Sequence, residues 1–155
     1  MQRGIRRKDR LLDAPAARAL LEEGEYGVLS TCGSDGQPYG VPVNYVLMDG
    51  DIVIHSATTG HKLENIAENP KVSFTVVGKT ELLPEKFATC YESVIVFGTA
   101  AIVDAPDLKR TALRALVAKY AAEHATAGDA YIEKLLEKTR VIRVSVDSIT
   151  GKARR

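Results

Sequence analysis

Six short stretches rich in Val, Ile, Tyr and Thr, each bounded by turn chemistry, constrain this chain more than any other feature of its sequence. They are Tyr26 to Cys32, Tyr39 to Met48, Asp51 to Ser56, Lys71 to Val77, Glu92 to Val103 and Arg140 to Val146. Gly33-Ser34-Asp35-Gly36 and Asp49-Gly50 are hairpin signals, so the first three strands are expected to form an antiparallel meander. No long helix interrupts them, which excludes a doubly wound parallel sheet.

Helices are expected around this β framework. Asp13 is placed to N-cap one running to Glu23, with Pro15 in its first turn and Gly24 beyond its end. A short helix from His61 to Asn69 is stopped by Pro70. A longer one, Asp107 to Tyr120, carries Leu113, Leu116, Val117 and Tyr120 on one packing face, and another spans Asp129 to Leu136. The pattern predicts a mainly β (α+β) fold, a six-stranded antiparallel barrel with short flanking helices at its rim.

At 155 residues, 45% apolar and 26% charged, the chain has the size and composition of one domain over 1–155. Its longest predominantly apolar stretch, Val94 to Val103, falls well short of the ~20 residues a membrane helix needs. The basic start lacks the apolar core of a signal peptide, so the expected location is cytoplasmic and off the membrane. Residues 1–10 carry +4 and 151–155 carry +3; the whole chain carries +1, which leaves −6 between them. These basic ends read as solvated tails, and the acidic body disfavours nucleic acid as a partner. Cys32 and Cys90 have no metal-ligand spacing and read as packing residues, with Cys90 in a loop.

Chemistry concentrates where a strand runs into a helix, through Ile54-His55-Ser56-Ala57-Thr58-Thr59-Gly60-His61-Lys62. Free N–H groups make a helix N-terminus slightly positive, so His61 and Lys62 in the first turn are unfavourable by a few tenths of a kcal/mol or more. A bound phosphate reverses that sign, taking hydrogen bonds from hydroxyls, from the N–H groups and from Lys62. The residues equally allow a simpler reading, in which Thr58 or Thr59 caps the helix and Lys62 points to water. Nearby, Pro42 interrupts the strand Tyr39 to Tyr45. Period two puts Val41, Val43 and Tyr45 on one face, and Gly40, Pro42 and Asn44 on another that is small enough to lie against a planar ligand. Pro42 fits an edge strand guarded against aggregation as well. Of three histidines, His55 and His61 flank the cradle, whereas His124 lies in a small-residue loop.

Several of these segments, in order, resemble the flavin-nucleotide-binding branch of the pyridoxamine 5′-phosphate oxidase-like superfamily, and within it the 5-nitroimidazole reductase (resistance) type. They include Arg6-Arg7-Lys8-Asp9-Arg10, Gly27-Val28-Leu29-Ser30, Asp35-Gly36-Gln37-Pro38-Tyr39 and Val41-Pro42-Val43-Asn44-Tyr45. His55-Ser56-Ala57, Gly60-His61-Lys62, Asn69-Pro70-Lys71-Val72-Ser73-Phe74, Tyr91 to Gly98 and Ile149-Thr150-Gly151-Lys152 continue the match. The resemblance implies a split β-barrel that binds FMN at a homodimer interface. It places Pro42, Val43, Asn44 and Tyr45 along the isoalloxazine, and His55, Ser56, Ala57, Gly60, His61 and Lys62 around the phosphate and the reacting face. Ser93 and Val94, within Tyr91 to Val96, approach from the partner subunit. His55 is the first candidate for a catalytic role and His61 the second. The chain lacks the arginine-rich C-terminal signature of true pyridoxamine phosphate oxidases, which argues against vitamin B6 oxidation.

The expected function is therefore an FMN-dependent oxidoreductase reducing a small electron-poor acceptor such as a nitroaromatic, with NADH or NADPH as the candidate donor. The alternative is a non-catalytic carrier or sensor of FMN, haem or a deazaflavin on the same fold.

Overall fold

Alternation and turn chemistry produce one antiparallel sheet in the computed structural model, which describes residues 3–155. Its strands are β1 (Gly27–Cys32), β2 (Pro38–Val43), β3 (Val46–Met48), β4 (Asp51–Ser56), β5 (Lys71–Leu83), β6 (Ala88–Val103) and β7 (Arg140–Arg154). The helices are α1 (Ala14–Glu23), α2 (His61–Glu68), α3 (Pro106–Tyr120) and α4 (Ala125–Leu135). Strand order is β2-β1-β5-β6-β7-β4-β3. The two edge strands, β2 and β3, are joined covalently through Asn44 and Tyr45, so the sheet curls round without closing its hydrogen-bond ladder.

That bend corrects the expected strand Tyr39 to Met48. Its first half pairs with β1 and its second with β4, which gives seven strands instead of six and breaks the meander at the split. The bend is held by groups far away in sequence. Lys119 Nζ donates to the Gly24 carbonyl at 2.7 Å and to the Tyr45 carbonyl at 2.9 Å. The Tyr45 N–H donates to Tyr120 Oη at 3.0 Å. Lys119 also lies 3.8 Å from the centre of the Tyr45 ring, a cation–π contact.

Two apolar clusters follow from the period-two pattern. Inward side chains such as Leu29, Ile52, Ile54, Phe74, Val94 and Val96 fill the barrel, which α1 and α2 close with Leu21, Leu63 and Ile66. On the outer face, Val53 and Val141 are covered by α3 and α4 through Leu113, Leu116 and Ile132. Among the described residues no helix is long and apolar enough to cross a membrane.

Two other expectations need correction. The hairpin of β5 and β6 extends to Leu83 and Ala88, which puts Cys90 inside β6 opposite Glu81 instead of in a loop. Residues 151–154 are no solvated tail: Gly151 is buried and Lys152 to Arg154 pair with Ser93 to Tyr91. At the other end Leu11 bridges to Lys152, and Arg7 forms an ion pair with Asp9. Residues 1–2 lie outside the described part.

Candidate functional site

The start of α2 carries the site. Its N-cap is Gly60, at φ 148° and ψ 165°, a left-handed conformation that suits only glycine. No side chain among the described residues makes a capping hydrogen bond there. The Gly60 carbonyl accepts from the N–H groups of Leu63 and Glu64, both at 3.1 Å. The N–H groups of His61 and Lys62, in the first turn, have no intrahelical acceptor. Capping by Thr58 or Thr59, the simpler of the two sequence readings, is thereby excluded. A Cβ at Gly60 would meet nothing within 4 Å, so the space in front of the turn is open.

His61 is exposed and stacks on Tyr39 of β2, with ring centroids 4.0 Å apart and planes inclined by 31°. This contact ties the helix start to the edge strand. Tyr39 was not among the candidate residues, yet it stands in the segment Gln37-Pro38-Tyr39 and on the Val41 face of β2. Along β2 the other face, Gly40, Pro42 and then Asn44, is exposed as alternation requires. Pro42, Val43 and Asn44 border an open depression with Glu25 and Tyr26.

His55 lies on the outer face of β4, opposite Val141 of β7. Part of its ring is open to solvent, but partial burial and, secondarily, the charge of Lys62 hold its pKa below the ordinary histidine value. At neutral pH it is a neutral imidazole. Lys62 is half-buried, on the same side of the barrel rim.

Two candidates stand elsewhere than the resemblance puts them, and a third is partly committed within the chain. Tyr45 is fully buried, packs edge-on to Phe74 at 4.8 Å and donates its hydroxyl to the Leu21 carbonyl. Its ring belongs to the core and cannot lie along a cofactor; period two had already put it on the inward face with Val41 and Val43. Val94 is likewise fully buried in the barrel. Ser56 is buried, and its hydroxyl donates to the Ala57 carbonyl at 2.6 Å, which leaves it only acceptor capacity toward a ligand.

The remaining residues fall into two groups within one chain. Gly60, His61 and Lys62 cluster at the α2 start near His55 and Tyr39. Ser93 lies on β6 opposite Lys152, whereas Val103, paired with the same Val141 that faces His55, is ten residues further along that strand. Ten residues of strand span about 33 Å. One chain therefore does not bring Ser93 to His55.

Comparison with known proteins agrees with this architecture. The family profile described as pyridoxamine 5′-phosphate oxidase matches residues 13–153. No curated protein matches the sequence. A solved structure of a proposed 5-nitroimidazole antibiotic resistance protein from Bacteroides thetaiotaomicron is similar at TM-score 0.76 and 21% identity, covering 92% of this chain and 86% of that one. An FAD-binding protein from Mesorhizobium loti is similar at TM-score 0.66 and 25% identity, covering 94% and 98%. An FAD and haem binding protein from Mycobacterium smegmatis is similar at TM-score 0.78 and 22% identity, covering 91% and 71%. With the profile running over nearly its whole length and the barrel split where β2 turns into β3, this chain belongs to the pyridoxamine 5′-phosphate oxidase family.

Proposed function

We propose that the protein is an FMN-dependent oxidoreductase that reduces a small electron-poor acceptor, such as a nitroaromatic, and works as a homodimer. The observation that carries this reading is the uncapped start of α2, where a phosphate would meet unpaired N–H groups, Lys62 and the His61 ring at once, with Glu64 the acidic residue of that turn. The residues fit the group: Gly60 leaves open space, and the exposed Pro42 and Asn44 of the neighbouring edge strand offer a flat face to a planar ring.

Bound FMN, once reduced by NADH or NADPH, would supply the two electrons. Gly60, His61 and Lys62 hold its phosphate, and Pro42, Val43 and Asn44 line its ring. His55 moves a proton to the acceptor oxygen. Reduction of a nitro group to a nitroso group consumes two electrons and two protons and releases water, so a proton donor beside the acceptor lowers the barrier. His55 acts in its minor imidazolium form, which its depressed pKa makes a better proton donor than an ordinary imidazolium. A second copy supplies Ser93, which the first chain holds too far from His55. The outward side chains of β6, Ile95 and Phe97, are about 40% exposed and would be covered by that copy.

The test begins with the visible spectrum of the purified protein and the mass of its released chromophore. A two-banded flavin spectrum releasing FMN, reduction by NADH or NADPH and turnover of a nitroaromatic are expected. His55→Gln should keep the chromophore and lose turnover. Retention of full nitroreduction in that variant removes the proton-donor role.

The neutral imidazole of His55, part of whose ring is open to solvent, also suits a haem ligand. A Soret band in place of the flavin bands would favour that second reading, a haem-binding module without turnover.

A further inference from the structure

Behind His55, α3 and α4 leave a cavity of about 240 Å3 between Leu113, Leu116, Val117, Tyr131, Ile132 and Leu135. Its lining is aliphatic apart from His55, Tyr131 and Thr139, and it includes no Asp, Glu, Lys or Arg. The Thr139 hydroxyl already donates to the Leu135 carbonyl at 2.9 Å. What remains is an apolar slot with an imidazole at one wall and a phenol at another.

We infer that this slot between α3 and α4 is the acceptor subsite, and that it selects a neutral, single-ring aromatic molecule. The inference rests on the oxidoreductase reading for the word acceptor, and on the cavity itself for the chemistry of the occupant. Size sets one limit: roughly 150 Å3 of apolar cavity is enough for benzene, whereas drug-sized sites start at roughly 300 Å3. One ring with a small substituent fills the volume here. Charge sets the other limit. A carboxylate or ammonium entering the slot would lose its water and find no counter-charge among the lining residues. His55 completes the argument, because it lines this slot and also feels the charge of Lys62 at the α2 start. A group bound in the slot thus meets an imidazole that neighbours the proposed phosphate cradle.

The experiment uses the purified protein with its chromophore in place, nitrobenzene as the neutral probe and 4-nitrobenzoate as its charged counterpart. With no electron donor present, nitrobenzene should shift the His55 Cε1–H and Tyr131 ring proton resonances, the histidine signal being assigned with His55→Gln. The benzoate should leave both in place. In turnover, Val117→Phe and Leu135→Phe, which narrow the slot from opposite helices, should each raise the nitrobenzene KM by about tenfold or more, with chromophore absorbance and helical circular dichroism retained. Unshifted resonances, or an unchanged kcat/KM in both variants, overturn the inference while leaving the oxidoreductase reading intact. Shifts without any reduction of nitrobenzene would overturn the oxidoreductase reading and keep the slot as a neutral-aromatic site. Equal shifts with the benzoate would overturn the charge selection.

Discussion

Helices α1 and α2 begin in opposite ways. At α1, Asp13 accepts a hydrogen bond from the Ala16 N–H at 2.8 Å and Pro15 stands in the first turn, so charge and geometry both favour the helix. At α2, glycine replaces the cap, and the first turn sets the Lys62 charge against a positive dipole end, with Glu64 as its acidic residue. Both helices bury apolar residues in the same barrel core, Leu21 from one and Leu63 and Ile66 from the other. The core needs a stable start from each, and only one has it within the chain. Under the proposed function, that deficit is where the cofactor phosphate binds.

The largest expected effect separates the two starts directly. Lys62→Ala should weaken FMN binding by about 2 kcal/mol, the worth of a hydrogen bond to a charged group, measured by flavin titration. Without FMN the same variant should be no less stable than the parent, since a like-signed charge leaves the dipole end. A ligand-free protein clearly destabilised by Lys62→Ala would erase the contrast. Asp13→Ala supplies the converse: about 1 kcal/mol lost in urea unfolding, with FMN affinity unchanged.

Smaller effects concern protons. Because His55 donates as imidazolium and its pKa lies below 6.5, kcat should rise as pH falls toward that depressed pKa and decline above it. Lys62→Ala removes the secondary cause of the depression, so the limb should move to higher pH while burial keeps it below the ordinary value. NMR titration of the His55 ring reads this shift independently of turnover. Stability gives the faintest signal. The unfolded chain takes up the His55 proton at a higher pH than the folded one, so folded stability falls as pH drops through 6.5 toward the folded pKa. His55→Gln should flatten that slope.

Much of the fold was legible because it is local. Asp13 capped its helix, Pro70 stopped α2, and the turns at Gly33 to Gly36 and Asp49-Gly50 closed two hairpins, all through contacts within a few residues. Alternation likewise placed Ile52 and Ile54 inside the barrel and His55 outside with Val53. Position carried over from relatives was less dependable than this periodicity, as the buried Tyr45 and Val94 show.

The sequence by itself determined which residues alternate, where chain reversals occur and that Asp13 caps α1, because each depends on neighbours along the chain; whether Thr58 or Thr59 caps α2 it left open. Tertiary structure alone decided the split at Asn44 and Tyr45, which Lys119 and Tyr120 hold from about 75 residues away. It alone recruited Lys152 to Arg154 into β7, set His61 on Tyr39 and left the slot behind His55. Each is a contact between segments remote in sequence, and only packing brings such segments together.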